Sequence, residues 1–507
     1  MLPSPSSSPA QFSAFVNSTN LLRNVDESQD KCSHPWLQLP TPPTHTKRPL
    51  CEEDASPSKR ARKTVREEAE SSETEEIMME RARTRFRRRT CNALRMASNE
   101  LPFQRPSNVS TRSILQSFVS SYKSDFFRCE SVEHGFLTPP YACSYSHSAK
   151  AGRTPHLAVS TEEGAVHIFN TIKRSEWDPE PIRTTFQPHD NGVYDVKWSA
   201  SDSRLATCSA DRSIRISCPN TSKLLQILTG HGSSVKRAAW HSSNDSLLCS
   251  GGRDGTICIW DLRIPQSSTS VFNIPDAHES LALKGRRSKQ HMPKTITNLI
   301  FNEDMSLISS GSSDGVLRCW DLRFVSASGR SLARSKRFIP SLCTPIDPTT
   351  SHGSHRPRGI LSLTAGIGPS SGLLFALGAD SRIHTYMASS LSPLPISFTD
   401  PNIQVNGSFY ISSAISPCGR WLASGGGKSA LLFDVSTAAS PYARASSGVE
   451  LKAQLGEVYA VDWADGMIAT CADDRTVRIW RPDVDLYQSC LEDPNEYKWK
   501  WSWAMKY

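Results

Sequence analysis

Three side chains of the kinds that make a hydrolytic triad lie close together in the chain: His231, Ser250 and Asp254. A serine nucleophile needs an imidazole to take its proton and a carboxylate to orient that imidazole. The surroundings argue against this chemistry. No nucleophile elbow, phosphate-cradling glycine loop or metal-ligand spacing accompanies them. Trp260 follows Ser250 by ten residues, and a His, Ser, Asp and Trp so placed fit four polar groups that satisfy one another inside a fold. A second set has a different use. Arg263 and Arg323 each stand two residues after an acid, in Trp260-Asp261-Leu262-Arg263 and Trp320-Asp321-Leu322-Arg323. A guanidinium fork in such a place suits docking onto a partner's carboxylate or carbonyls, or an ion pair within its own hairpin. A third set combines aromatics with charge: Tyr194, Lys236 and Tyr459, with the basic Lys284, Arg286 and Arg287. That mixture suits capture of a peptide. No catalytic residue, metal ligand or cofactor is expected.

The elements that position these residues repeat. Leu247–Arg263 and Leu307–Arg323 each read as a strand, an Asp-Gly turn and a second strand ending in Trp-Asp. This is the core hairpin of a propeller blade of the WD-repeat type. Strand ends of this kind recur at Phe169, Ser217, Trp260, Trp320, Tyr386, Phe433 and Trp480. Counting back six residues finds an acid at Glu163, Asp211, Asp254, Asp314, Asp380 and Asp474, and Gly427 in the remaining turn. The period is about 45 residues, stretched by insertions after Trp260 and Trp320. The first strands Val193–Trp198, Val235–Trp240, Ile296–Phe301 and Val458–Trp463 align position by position, and a Ser or Thr recurs ten before the Trp position at Thr207, Ser250, Ser310 and Thr470. The expected fold is all-β: one closed seven-bladed WD-repeat β-propeller with a disordered N-terminal extension. The expected divisions are a disordered stretch over 1–100, a lead-in segment packed on the propeller over 101–140, the propeller over 141–482, and an aromatic tail over 483–507.

The hairpin geometry assigns faces. The histidine before each blade and the turn acid must meet on one rim, the top. The Trp-Asp ends then run to the bottom, which places Arg263 and Arg323 there on blades three and four. The insertions 264–294 and 324–357 carry Lys284, Arg286, Arg287, Lys289, Lys294, Arg330, Arg334, Lys336, Arg337, Arg356 and Arg358. Their later parts are expected to make the top face positive, near Tyr194, Lys236 and Tyr459.

The rest of the chain bounds the setting. Net charge is +8 over 507 residues, and none of the fourteen cysteines falls in a CxxC pair. Cys208, Cys249, Cys258, Cys319 and Cys471 sit in strand patterns and read as buried thiols. The N-terminus has no signal-like apolar stretch, so a soluble, intracellular chain is expected. Lys47-Arg48 with Lys59-Arg60-Ala61-Arg62-Lys63 has the shape of a two-part nuclear import signal. Six arginines within Arg81–Arg89 follow an acidic run, Glu67–Glu76. They suit a weak or indirect DNA contact or a helix with acid at its start and base at its end. Gln116, Val119 and Tyr122 are spaced like part of a peptide that binds the replication sliding clamp, or form a lead-in segment packed on the propeller. In the tail, Trp499, Trp501 and Trp503 alternate as on one face of a strand.

Two Trp-Asp-x-Arg endings on consecutive blades resemble the propellers that serve cullin-4 ubiquitin ligases. Further stretches are similar to the denticleless substrate receptors, of a compact, fungal type: Thr138–Cys143, Glu162–Asn170, Gly251–Arg263, the basic insertion before Lys294, and Ala469–Trp480. The likeness covers roughly residues 110–482. Animal members carry a long tail after the propeller, and this chain stops at Tyr507, so functions of that tail are not carried over. The resemblance implies a non-catalytic, nuclear subunit acting in DNA replication, the cell cycle and the DNA-damage response. Trp260, Asp261, Arg263, Trp320, Asp321 and Arg323 would bind the ligase's propeller adaptor. The other face would present proteins held on the sliding clamp (PCNA), such as the replication-licensing factor. A chromatin-binding WD-repeat scaffold outside any ligase is the other reading of the residues.

Overall fold

The computed structural model describes residues 111–505, apart from 133–134, 182, 265–268, 280–293, 303–304, 324–338, 352–355, 406–409 and 441–444. The expected disordered extension, the import signal and the Arg81–Arg89 run lie outside the described residues.

Among the described residues there are seven antiparallel blades, five of them separate four-stranded sheets and blades six and seven joined in one ten-stranded sheet. Their innermost strands are Pro140–Tyr145, Val193–Trp198, Val235–His241, Ile296–Asn302, Ile360–Ala365, Ser413–Ile415 and Val458–Ala464. Blades one to five are four-stranded meanders. Because each blade is covered on both sides by its neighbours, the middle strands are buried along their length, as in Leu205–Ser209 and Leu373–Gly378. The outermost strands are wetter: Leu224–Thr229 buries only Leu228 fully. Apolar layers lie between blades. Ile257, Ile259 and Ile274 of blade three pack on Ile296, Leu299, Leu307 and Trp320 of blade four.

The ring closes through both flanks of the chain. Phe126–Arg128 pairs with Thr476–Arg478 and supplies the fourth strand of blade seven before blade one begins. Upstream, Phe118–Ser121 pairs with Arg481–Pro482 on one side and with Trp501–Trp503 on the other. The tail strand Trp501–Met505 then pairs with the outer strand of blade six through Glu450 and Leu451. Arg481 forms a largely buried ion pair with Asp125, and the Arg478 guanidinium lies 4.0 Å over the Tyr122 ring. Gln116 and Val119 are buried, and Ser502 donates to the Tyr122 hydroxyl at 2.9 Å. The segment spaced like a clamp-binding peptide is therefore part of the closure. Of the three tail tryptophans, Trp501 and Trp503 share one half-buried strand face, while Trp499 precedes the strand and is exposed.

The four-residue network on blade three forms as expected. Trp260 Nε1 donates to Ser250 Oγ at 2.8 Å, Ser250 meets His231 Nε2 at 2.8 Å, and His231 Nδ1 faces Asp254 at 3.1 Å. Blade two keeps His189, Thr207 and Asp211 without the indole. In blade seven Gln454 stands where the histidine would be and accepts from Thr470 at 2.6 Å. Blade four corrects one expectation. Ser309, not Ser310, takes the bonds from Trp320 and His278, both at 2.9 Å, while Ser310 pairs with Thr297. Ser309 lies one residue further from its turn acid than Ser250 does. Asp314 pairs instead with Lys294, and His278 Nδ1 has no hydrogen-bond partner among the described residues.

The five strand cysteines are buried free thiols. Among the described residues no helix is long and apolar enough to cross a membrane.

Replacing Ser250 by Ala leaves two buried ring nitrogens unpartnered, and should lower stability by roughly 2–4 kcal/mol, read as a lower urea midpoint. Burial pushes His278 down to about 3 from an ordinary 6.5. The unfolded chain takes up this proton near pH 6.5 and the folded chain does not, so the contribution is full above that pH and is lost as pH falls towards 3. Between pH 6 and 4 the stability of wild type should fall more steeply than that of His278→Asn, by about 1.4 kcal/mol per pH unit. Parallel pH profiles would refute this.

Candidate functional site

One irregularity of the inner strands builds the top of the channel. In six of the seven blades the pairing of the first two strands slips by a residue at the same place, between Pro140 and Ala142, Val193 and Asp195, Val235 and Arg237, Ile296 and Asn298, Ile360 and Ser362, and Val458 and Ala460. A bulge takes one residue out of the ladder and re-aims its side chain. The residues so displaced are Tyr141, Tyr194, Lys236, Thr297, Leu361 and Tyr459. Blade six has a shorter inner strand, and Tyr410 reaches the mouth from the stretch leading into it.

The tyrosines meet from different blades. Tyr141 stacks on Tyr410 with ring centres 4.1 Å apart, and Tyr194 and Tyr459 lie 5.5 and 5.8 Å from Tyr410. Lys236 Nζ sits 5.2 Å from the Tyr410 ring and 5.9 Å from the Tyr194 ring. Beneath them Arg237 donates to Asp195 at 3.0 Å and to the Ile411 carbonyl of blade six at 3.4 Å. Spanning from blade three to blade six, it forms a floor. Asp195 also accepts from the Ala238 backbone at 3.1 Å. Above this floor Tyr194, Ser234, Lys236, Arg253, Thr295 and Tyr410 line a small solvent-open cavity.

The mouth is electrically two-sided. Burial, with Arg237 beside it, pushes Lys236 well below the ordinary lysine range. Burial raises the phenols of Tyr141, Tyr194 and Tyr459, so they remain neutral hydrogen-bonding groups. Glu162 lies near Tyr141, and Asp473 and Glu457 near Tyr459. Acid therefore faces the blade-one and blade-seven side, and Lys236 with Arg253 the blade-three side.

The structure brings together Tyr194, Lys236 and Tyr459 as expected. Lys284, Arg286, Arg287 and Lys289 lie outside the described residues. Arg330, Arg334, Lys336 and Arg337 also lie outside the described residues, and the outer strand of blade four begins at Leu342. Arg356 and Arg358, just ahead of the innermost strand of blade five, are exposed towards the top. Tyr141, Tyr410 and Arg253 were not singled out in the sequence. Tyr141 holds the same place in Pro140-Tyr141 as Tyr194 in Val193-Tyr194, a signal that extending the strand alignment to blade one would have found. Tyr410 follows no such pattern.

At the opposite end of the strands, Arg263 Nη2 and Asp261 Oδ2 are 2.6 Å apart, and Arg323 and Asp321 repeat the same distance. Each Nε also donates to its aspartate, at 2.9 and 3.0 Å. These bonds hold both carboxyls below the usual range. The arginine side chains are still 71% and 67% exposed, so the rim displays two oriented forks. Trp260 and Trp320 are each 1% exposed, with their indole N–H groups turned inward. They support the rim from within. The triad chemistry is ruled out by access: Ser250 is fully buried and engaged on both sides.

The repeat family described as WD domain, G-beta repeat, matches residues 180–216, 222–261, 286–321 and 448–481. The chain is 30% identical over 371 residues to the Denticleless protein homolog of Gallus gallus, covering 69% of this chain and 48% of that protein. It is 28% identical over 377 residues to the Homo sapiens homolog, covering 69% and 47%. It is 30% identical over 352 residues to Protein lethal(2)denticleless of Drosophila melanogaster, covering 65% and 43%. The chain spans about half the length of the curated relatives it matches.

Two substitutions in the mouth should separate structure from site. Arg237→Met leaves Asp195 buried without its main partner and should cost about 3–5 kcal/mol. Lys236→Met removes a buried cation held against its preference and should unfold at the same denaturant concentration as wild type or a higher one. A large loss at Lys236 would show that it serves the fold.

Proposed function

Because this chain is a WD-repeat protein of the denticleless family, we propose that it is the substrate-recognition subunit of a cullin-4 RING ubiquitin ligase. It docks on the ligase's propeller adaptor by its bottom face and presents replication and cell-cycle proteins bound to the sliding clamp for ubiquitination in the nucleus. It does no ubiquitin chemistry itself.

The observation that carries this reading is the repetition of one Asp–Arg geometry on two adjacent blades, on the rim opposite the tyrosine–lysine mouth. A propeller needs neither fork to fold, since the blades are held by their ladders and inter-blade layers. Two exposed, pre-aimed guanidiniums suit a surface that must recognise carbonyls or carboxylates in one register. With docking at the bottom, the cavity at the top stays open to a captured protein.

The same pairs favour a second reading. Each arginine already has a carboxylate, and a chromatin-binding scaffold outside any ligase could use them only to brace the hairpin end. Adaptor capture decides. Wild type should retain the adaptor in a pull-down. The Arg263→Ala, Arg323→Ala double variant, with an unchanged circular dichroism spectrum, should lose at least tenfold in retention, since central interface arginines carry on the order of 2–4 kcal/mol. Absence of binding by wild type would favour the scaffold. Binding that survives the double substitution would move the contact to another surface.

A further inference from the structure

We propose that the cavity between blades two, three and four is a carboxylate-binding subsite, and that the protein captured at the top face seats an acidic group in it. The proposal rests on reading that face as the surface that receives another protein, and it adds the chemistry that is read there.

The lining fits this class of ligand. Lys236 and Arg253 supply two positive charges, Ser234 and Thr295 two hydroxyls, and Tyr194 and Tyr410 aromatic walls. Lys236 is 6% exposed, yet the bulge at Val235–Arg237 takes it out of the ladder and turns it into the mouth. Its Nζ is held against the faces of two tyrosines, which favour a cation. Arg237 lies immediately below with its own carboxylate, Asp195, at 3.0 Å. An anion arriving from above would meet a fixed cation, a second cation at the rim, and a closed floor. Buried charges are stabilised when paired and hydrogen-bonded, and the pocket offers both.

The charge balance favours a carboxylate over a phosphate. Glu162, Glu457 and Asp473 stand on the far side of the same mouth and would repel a dianion more strongly than a monoanion. Lys236 already occupies the faces of Tyr194 and Tyr410, which disfavours a trimethyl-lysine reading of the tyrosine cluster.

The full chain, carrying ¹³Cε-labelled lysine, would be titrated with four probes while the Lys236 signal, assigned by its loss in Lys236→Met, is followed by NMR. N-acetyl-aspartate amide should shift it saturably, and N-acetyl-asparagine amide should not. N-acetylalanine carries its carboxylate at the chain end, so comparing it with the aspartate probe tells whether a side chain or a terminus fits better. Arg253→Met, at an exposed position, should weaken the aspartate probe at least tenfold. The subsite is wrong if the asparagine probe, or sodium chloride at equal ionic strength, gives the same shift, if no shift saturates, or if Arg253→Met binds as tightly as wild type. Tighter binding of phosphoserine amide would overturn the carboxylate assignment. No adaptor enters this measurement, so failure of the subsite and failure of the ligase reading are seen separately.

Discussion

Closure is the constraint on which the rest of this structure depends. An open ring leaves two blade faces uncovered, and blade seven without its fourth strand would present an edge of unpaired N–H and C=O groups to solvent and to other chains. Here the last blade has only three strands of its own and takes its fourth from Phe126–Arg128. Phe118–Ser121 and Trp501–Met505 then continue the pairing across to blade six. The Asp125–Arg481 ion pair and the Arg478–Tyr122 contact lie within this seam. Both rims inherit their geometry from it, because the channel mouth is defined only when blades one and seven are neighbours. Tyr141 and Tyr459 come from those two blades.

What the sequence made legible follows from what repeats. Seven strand ends at one period were enough for the blade count, because each blade must bury the same middle strands between the same kinds of neighbours. The polar network on blade three was legible because Ser250, Asp254 and Trp260 stand at the family spacing. The serine of blade four was misassigned by one residue for a physical reason: an extra residue in its turn moves the hydroxyl that faces Trp320 from Ser310 to Ser309. The closing strands were not legible as such, since Phe118–Ser121 and Phe126–Arg128 are short and their partners are remote. Tyr410 was missed because blade six departs from the repeat. Its turn holds Gly425, Gly426 and Gly427, where Gly426 N donates to the Val458 carbonyl at 3.0 Å. A side chain at Gly425 would lie 2.8 Å from the Tyr459 carbonyl oxygen.

The two rims handle charge differently. At the bottom, Arg263 and Arg323 are in water, where pairing with a neighbour two residues away orients the side chain more than it stabilises the fold. At the top, charge is buried. Asp195 and Arg237 satisfy each other, and Lys236 lies against the faces of Tyr194 and Tyr410 beside the open cavity. Bulges that remove a residue from the ladder, and a cation placed where burial disfavours it, break local rules of stable design. Such violations concentrate where a protein meets its ligands.

The seam also sets a timetable. Asp125 and Arg481 are 356 residues apart in sequence, so on the ribosome the strand that completes blade seven emerges long before the blade exists. Until then one face of blade one has no neighbour, and the half-made ring carries exposed apolar faces through most of translation. Contacts of such long range form late and slowly. The nascent chain is therefore a natural client for chaperones, and a substitution confined to the seam would show its effect in yield and aggregation before any defect appeared in the finished propeller.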